Sequence, residues 1–268
     1  MSTLTHAPAR ETTTRPTRAA LPSLLTYIGL DLKRQLRDRM GMFFVIALPA
    51  FLFVVFGLGD DDPVGSGNVA MYVMISMAAY GAVTATTTIA GSAATEQMMG
   101  WGRQIALTRT SSLAFVVSKT VVAMVVAVVP IALIYAVGAA SGARGNAADW
   151  ALSALVVWAG AALFAIFGLA ICLHFSGQNA SSVASGMIVI LAFLANLFSP
   201  MSGFMLDLGR FTPLYGYAGL ARYPLTEGNL PLDAGHDSLW LLLANVASWT
   251  VIFTVLAVWG LKRRRERV

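Results

Sequence analysis

Cysteine is almost missing from this 268-residue chain: Cys172 stands alone, so no intramolecular disulfide can form, and its place inside an apolar run suits a small packing residue. Charge is scarce as well, with 12% Asp, Glu, Lys and Arg against 57% apolar residues. Six runs, at 42–59, 69–91, 120–139, 150–173, 181–200 and 239–261, contain none of these four residue types. No GxxxxGK[ST] occurs, which excludes ATP binding through a P-loop. No HExxH and no paired Cys/His spacing occurs either; His6, His174 and His236 are scattered, and no metal site is expected. Ser153, Ser185 and Ser248 have no charged partner within the runs and read as packing residues, so no catalytic residue and no enzyme is expected. Ion-coupled carriers usually keep a carboxylate, His or Lys inside the membrane as the coupling site. These uncharged runs offer none, so the energy for any transport should come from another subunit.

What is present is length and hydropathy. A hydrocarbon core of about 30 Å needs about 20 apolar helical residues, so five runs are long enough and the first is borderline. Lipid leaves only helices or closed barrels, and the runs lack the alternation of barrel strands. A soluble helical core would need polar helix faces, which this composition does not provide. Of 18 Lys and Arg, 15 fall before span one, between spans two and three, or after span six. Only Arg144, Arg210 and Arg222 fall on the other side. Positive charge stays cytoplasmic, so both termini are expected inside. The formal net charge of +5 then reflects topology and attraction to anionic lipid, and nucleic acid is not an expected partner. The many residues before the first run, with no small-residue cleavage site after it, do not read as a cleaved signal. Arg outnumbers Lys and Ala is abundant, as in proteins of GC-rich bacteria, which points to the bacterial inner membrane.

The chain divides into a tail at 1–21 expected to be disordered, a six-span unit at 22–262, and a basic cytoplasmic tail at 263–268. A helix capped near Ser23 carries Leu25, Ile28, Leu32 and Leu36 at three- and four-residue steps, with Asp31, Lys33, Arg34, Arg37 and Asp38 on other faces. Basic, amphipathic and adjacent to a span, it should lie in the interface. Asp60, Asp61 and Asp62 before Pro63 read as a solvated turn, because consecutive carboxylates do not converge as calcium ligands do. The segment 201–238 is dense in Gly, Pro and Tyr and should form short interfacial or re-entrant helices. Thr84, Thr87 and Asn196 are polar candidates inside the spans. They serve either interhelical hydrogen bonds or a route for an amphipathic cargo.

This order of elements resembles the membrane subunit of type-2 ABC exporters, the permeases of drug, antibiotic and polyketide efflux, over most of 22–262. The basic end Lys33–Arg39 precedes span one as the family's connecting helix does. The stretch from Glu96 through Gly100, Trp101, Gly102 and Arg103 to Thr108 is similar to the family's cytoplasmic segment, and Lys119 follows at the mouth of span three. Phe211, Thr212, Pro213, Leu214, Tyr215 and Gly216 resemble the aromatic–proline segment of an external re-entrant region, with Arg222 at a position that is often basic. Arg109 and Gln97 depart from the family pattern. The resemblance implies an all-α, six-span permease that exports a hydrophobic or amphipathic compound by alternating access. It would pair with a second copy or a sister permease and with an ATP-binding subunit that holds ATP and Mg. Lys33, Arg34, Arg37, Glu96, Gly100 and Arg103 would couple to that ATPase, and Phe211, Pro213, Tyr215 and Arg222 would belong to the external region. A non-transporting membrane component of a signalling or assembly complex and an ion-coupled carrier are the alternatives.

Overall fold

The computed structural model describes residues 20–96, 112–175, 180–231 and 234–265. Helix dominates them. In chain order the elements are α1 (Ala20–Arg37), α2 (Arg39–Gly57), β1 (Pro63–Val64), β2 (Gly67–Asn68), α3 (Val69–Glu96), α4 (Ser112–Ala140), α5 (Ala147–His174), α6 (Ala180–Leu194), α7 (Phe204–Arg210), α8 (Pro213–Thr226) and α9 (Leu239–Arg265). Gly100 and Arg103, the 176–179 loop and most of the two expected tails lie outside the described residues. α1 starts ahead of the expected Ser23 cap and takes Pro22 into its first turn, where a missing N–H costs no hydrogen bond. Asp38 breaks the chain between α1 and α2 and caps α2, its carboxylate accepting from the Gly41 N–H at 3.1 Å.

Among the described residues, α2, α3, α4, α5 and α9 are long and apolar enough to cross a membrane. α3 is the axis of the bundle: 83% of its apolar window is buried, against 22% for α2 and 17% for α9. Apolar helices in lipid gain little from burying apolar surface against one another, so close packing through small residues decides which of them sits centrally. α3 supplies such residues. Ala78, Ala79, Ala82 and Ala85 are fully buried, and Gly81 receives both Pro49 of α2 and Pro130 of α4. On α5, Gly168 lies so close to α3 that a Cβ there would stand 2.3 Å from the Thr87 carbonyl oxygen.

The run expected to cross at 181–200 is helical only as far as Leu194. Fifteen residues at 1.5 Å each give about 22 Å, short of the hydrocarbon thickness. Asn196 ends the helix in the left-handed region (φ 55°), with the Leu197 N–H bonded to the Ala192 carbonyl and the Asn196 N–H to the Phe193 carbonyl. This is a Schellman stop, and Asn is the residue after Gly that best tolerates it. α7 and α8 follow as two short helices. α8, started by Pro213 at its first position, buries Leu214, Tyr215, Tyr217, Ala218 and Ala221 rather than lying on the surface.

The acidic turn has more structure than a solvated loop. Asp60 and Asp62 offer carbonyls to the Ala70 and Val69 N–H groups at the start of α3, and Asp61 pairs with Arg144 at 3.1 Å on the surface. The β1–β2 hairpin turns at Gly65 (φ 57°), where a Cβ would meet the Leu225 carbonyl oxygen at 1.9 Å. Only glycine fits there.

Replacing Gly168 by Val should drive α5 away from Thr87 and cost about 1–3 kcal/mol. The check is the melting temperature in detergent. Gly186→Ala, where nothing lies within 4 Å of the added Cβ, should be neutral or slightly stabilising by comparison.

Candidate functional site

The chain's charges gather at the two ends of the bundle. At the α1 end, Ile28 and Leu32 dock α1 onto an apolar cluster that includes Ile89 and Ala90 of α3 and Val122, Ala123 and Val126 of α4. Leu25 and Leu36, which belong to the same sequence stripe, stay exposed. Docking at Ile28 and Leu32 carries Asp31, on the flank of that stripe, down to the first turns of α4. Lys119 of α4 meets it there, with Nζ 3.0 Å from Asp31 Oδ1 and 3.0 Å from Glu96 Oε2 at the end of α3. Arg34 Nη1 reaches Glu96 Oε1 from the solvent side at 3.0 Å. Lys119 is 1% exposed, and Arg34 is 65% exposed. One buried ammonium thus joins α1, α3 and α4 through two carboxylates, with Arg34 balancing the charge. Burial first, and then the carboxylates of Asp31 and Glu96, push the Tyr27 phenol above its ordinary value.

Lys33 and Arg37, one helical turn apart, remain exposed on α1. Of the six residues expected to couple to a partner, the fold therefore brings Arg34 and Glu96 into one network and leaves Lys33 and Arg37 on the open surface. Asp31 carried no role in the sequence reading. Its signal is a carboxylate on the edge of an apolar stripe, facing a span that opens with Lys.

The opposite end is organised by a second buried cation. Arg222 of α8 is 4% exposed. Its guanidinium donates to the carbonyls of Ala195 (3.1 Å), Asn196 (2.9 Å) and Ala218 (3.1 Å) and to the Tyr72 hydroxyl (2.6 Å), and it lies 4.8 Å from the centre of the Tyr72 ring. A helix that stops inside the bundle leaves its last carbonyls without partners. Arg222 serves those of α6. Nearby, Asp237 accepts from Arg210 at 3.1 Å and from the Tyr215 hydroxyl. Phe211 is 77% exposed at the turn between α7 and α8, and Pro213 starts α8.

Thr84 and Thr87 commit their hydroxyls to main chain. Thr84 donates to the Tyr80 carbonyl at 2.8 Å within α3, and Thr87 donates to the Phe164 carbonyl of α5 at 3.3 Å. Asn196 is where the chain leaves α6. Among the described residues no group of three or more His, Cys, Asp or Glu is arranged to hold a metal ion. No family model matches this chain, and no curated protein matches it either.

Lys119→Met should leave two buried carboxylates facing each other and destabilise the protein by about 3–5 kcal/mol. Adding Asp31→Asn and Glu96→Gln should recover most of that loss; denaturation in mixed micelles reads both. Arg222→Met should strand the α6 carbonyls at about 1–3 kcal/mol each. Arg222→Lys should fall between the two, because one ammonium cannot reproduce a planar fork that reaches both the Ala195 and Asn196 carbonyls.

Proposed function

We propose that this chain is the membrane-spanning subunit of an ATP-driven exporter of the type-2 ABC class, moving a hydrophobic or amphipathic compound out of the cytoplasm or the inner leaflet. The observation that carries the reading is the Lys119–Asp31–Glu96 cluster, which fastens an amphipathic helix to two spans while Lys33 and Arg37 stay open on its surface. A separate ATPase can drive a helical bundle only through elements that move with the spans. α1 has that property and carries a basic face on which an acidic partner surface would sit.

On this reading both termini are cytoplasmic in a bacterial inner membrane. The 180–200 segment makes the fifth of six crossings as a broken helix, and α7 and α8 form an external re-entrant region closed by Arg222. ATP and Mg are bound by the partner subunit. A second copy or a sister permease covers part of the exposed apolar surface, and lipid covers the rest. Gly100 and Arg103 would take part in the same coupling in this proposal. The compound itself would be selected by the apolar walls of the bundle.

Purified with the ATP-binding subunit that this reading requires, the chain should form a stable complex whose hydrolysis rate depends on the permease. The double variant Lys33→Glu/Arg37→Glu should weaken that complex about tenfold, the worth of two surface ion pairs, without moving the melting temperature. Uphill movement of cargo by this chain alone in sealed vesicles, with no ATPase present, would overturn the proposal.

A further inference from the structure

Between α7 and α9 lies a cavity of about 580 Å³ that none of the packing described above requires. One wall is a single face of α9, where Leu241, Ala244 and Ser248 recur at helical spacing; the facing wall is the end of α7, with Asp207, Arg210 and Phe211. Two further lining residues of α9 bond the walls to each other. Asn245 Nδ2 donates to the Arg210 carbonyl at 2.8 Å, and Trp249 Nε1 donates to the Phe211 carbonyl at 3.0 Å. The spacing of the two walls is therefore fixed by bonds, and the size of this open groove falls in the range of about 300–1,000 Å³ typical of small-molecule sites.

Its charge is uneven. Arg210 is bonded to Asp237 through Nε and to Asp207 through Nη1, each at 3.1 Å. Two carboxylates face one guanidinium, which leaves one negative charge over. Asp237 is buried and also accepts from Tyr215, so the surplus is expressed at Asp207, which is 65% exposed at the rim. An anionic head would find Arg210 already engaged and a carboxylate beside it. A cationic head would find Asp207 together with two aromatic rings, Phe211 and Trp249, whose faces attract cations. Leu241 and Ala244 give the α9 wall an aliphatic stretch beside the polar Asn245 and Ser248.

We infer that this cavity binds an amphiphile with an ammonium head, its head at Asp207 and its chain along Leu241 and Ala244. The inference stands independently of any energy source for transport. Two sources share this chemistry, the amine of a phosphatidylethanolamine lipid and a soluble cationic amphiphile.

The test uses the full chain in nanodiscs of phosphatidylglycerol and a diazirine-bearing dodecyltrimethylammonium, with labelled peptides located by mass spectrometry. Labelling of 241–249 should saturate. It should weaken about fivefold in Asp207→Asn, the loss of one exposed charge partner. It should weaken further in Ala244→Trp, which puts an indole into the cavity from an exposed position. Dodecyl sulfate should not compete. Competition when phosphatidylethanolamine is added to the discs identifies the lipid as the occupant, and no competition identifies the soluble amphiphile. Melting temperatures equal to the parent's keep both variants interpretable. Equal competition by dodecyl sulfate, or labelling unchanged in Ala244→Trp, would overturn the inference. So would a change of oligomeric mass in Ala244→Trp, which would show a second copy covering the face.

Discussion

A polar group facing hydrocarbon can bond only to protein, and this constraint shapes both ends of the bundle. Lys119 and Arg222 are each almost completely buried, yet they satisfy the constraint in different ways. Lys119 sits between two carboxylates, so its cluster approaches neutrality and draws three helices together. Arg222 instead bonds main-chain carbonyls and the Tyr72 hydroxyl. Its fork supplies hydrogen bonds where α6 runs out of its own. A broken helix at this depth is tolerated because a side chain from a neighbouring helix completes it.

Between the two clusters the bundle carries no formal charge along its apolar helices, and cohesion passes to close packing. α3 holds the centre because it is made of small residues. Ala78, Ala82 and Ala85 let neighbouring helices approach, and Gly81 takes the bulk of Pro49 and Pro130. Thr87 adds a bond to the Phe164 carbonyl beside Gly168, where the α3 and α5 backbones come nearest. The outer helices α2 and α9 show the reverse pattern. Apart from inward residues such as Val45, Phe53, Leu242 and Phe253, most of their large Phe, Val, Leu and Trp side chains are exposed, as suits helices that border lipid.

Most of the helical framework is legible in the sequence, because an uncharged run of some 20 residues has few alternatives. The end of α6 is not. Hydropathy continues through Leu197 and Phe198, and the stop comes from a single backbone conformation at Asn196, a residue whose polarity suggested a cargo route. The hairpin at Pro63–Asn68 escaped for a similar reason, since its turn depends on Gly65 meeting Leu225, 160 residues further on. Glu96 and Lys119 could be placed at the mouths of their spans, but nothing local marks Asp31 as their partner. That pairing follows only from which residues of the α1 stripe dock: Ile28 and Leu32 do, while Leu25 and Leu36 do not.

α3 also gives the two clusters a mechanical relation. Tyr72, which carries Arg222, and Glu96, which carries Lys119 and Arg34, belong to the same helix. They are separated by about 36 Å at 1.5 Å per residue. α2 and α4 each contain a proline, and α3 contains none, so its hydrogen-bond ladder runs without interruption between them. Helices bend sharply at proline or at breaks in that ladder. A tilt of α3 that leaves the Glu96 cluster intact must therefore shift Tyr72 against Arg222, or carry Arg222 and the end of α6 along with it. The second course keeps every buried cation bonded, and on it α3 takes α1 and α4 along at one end and α8 at the other.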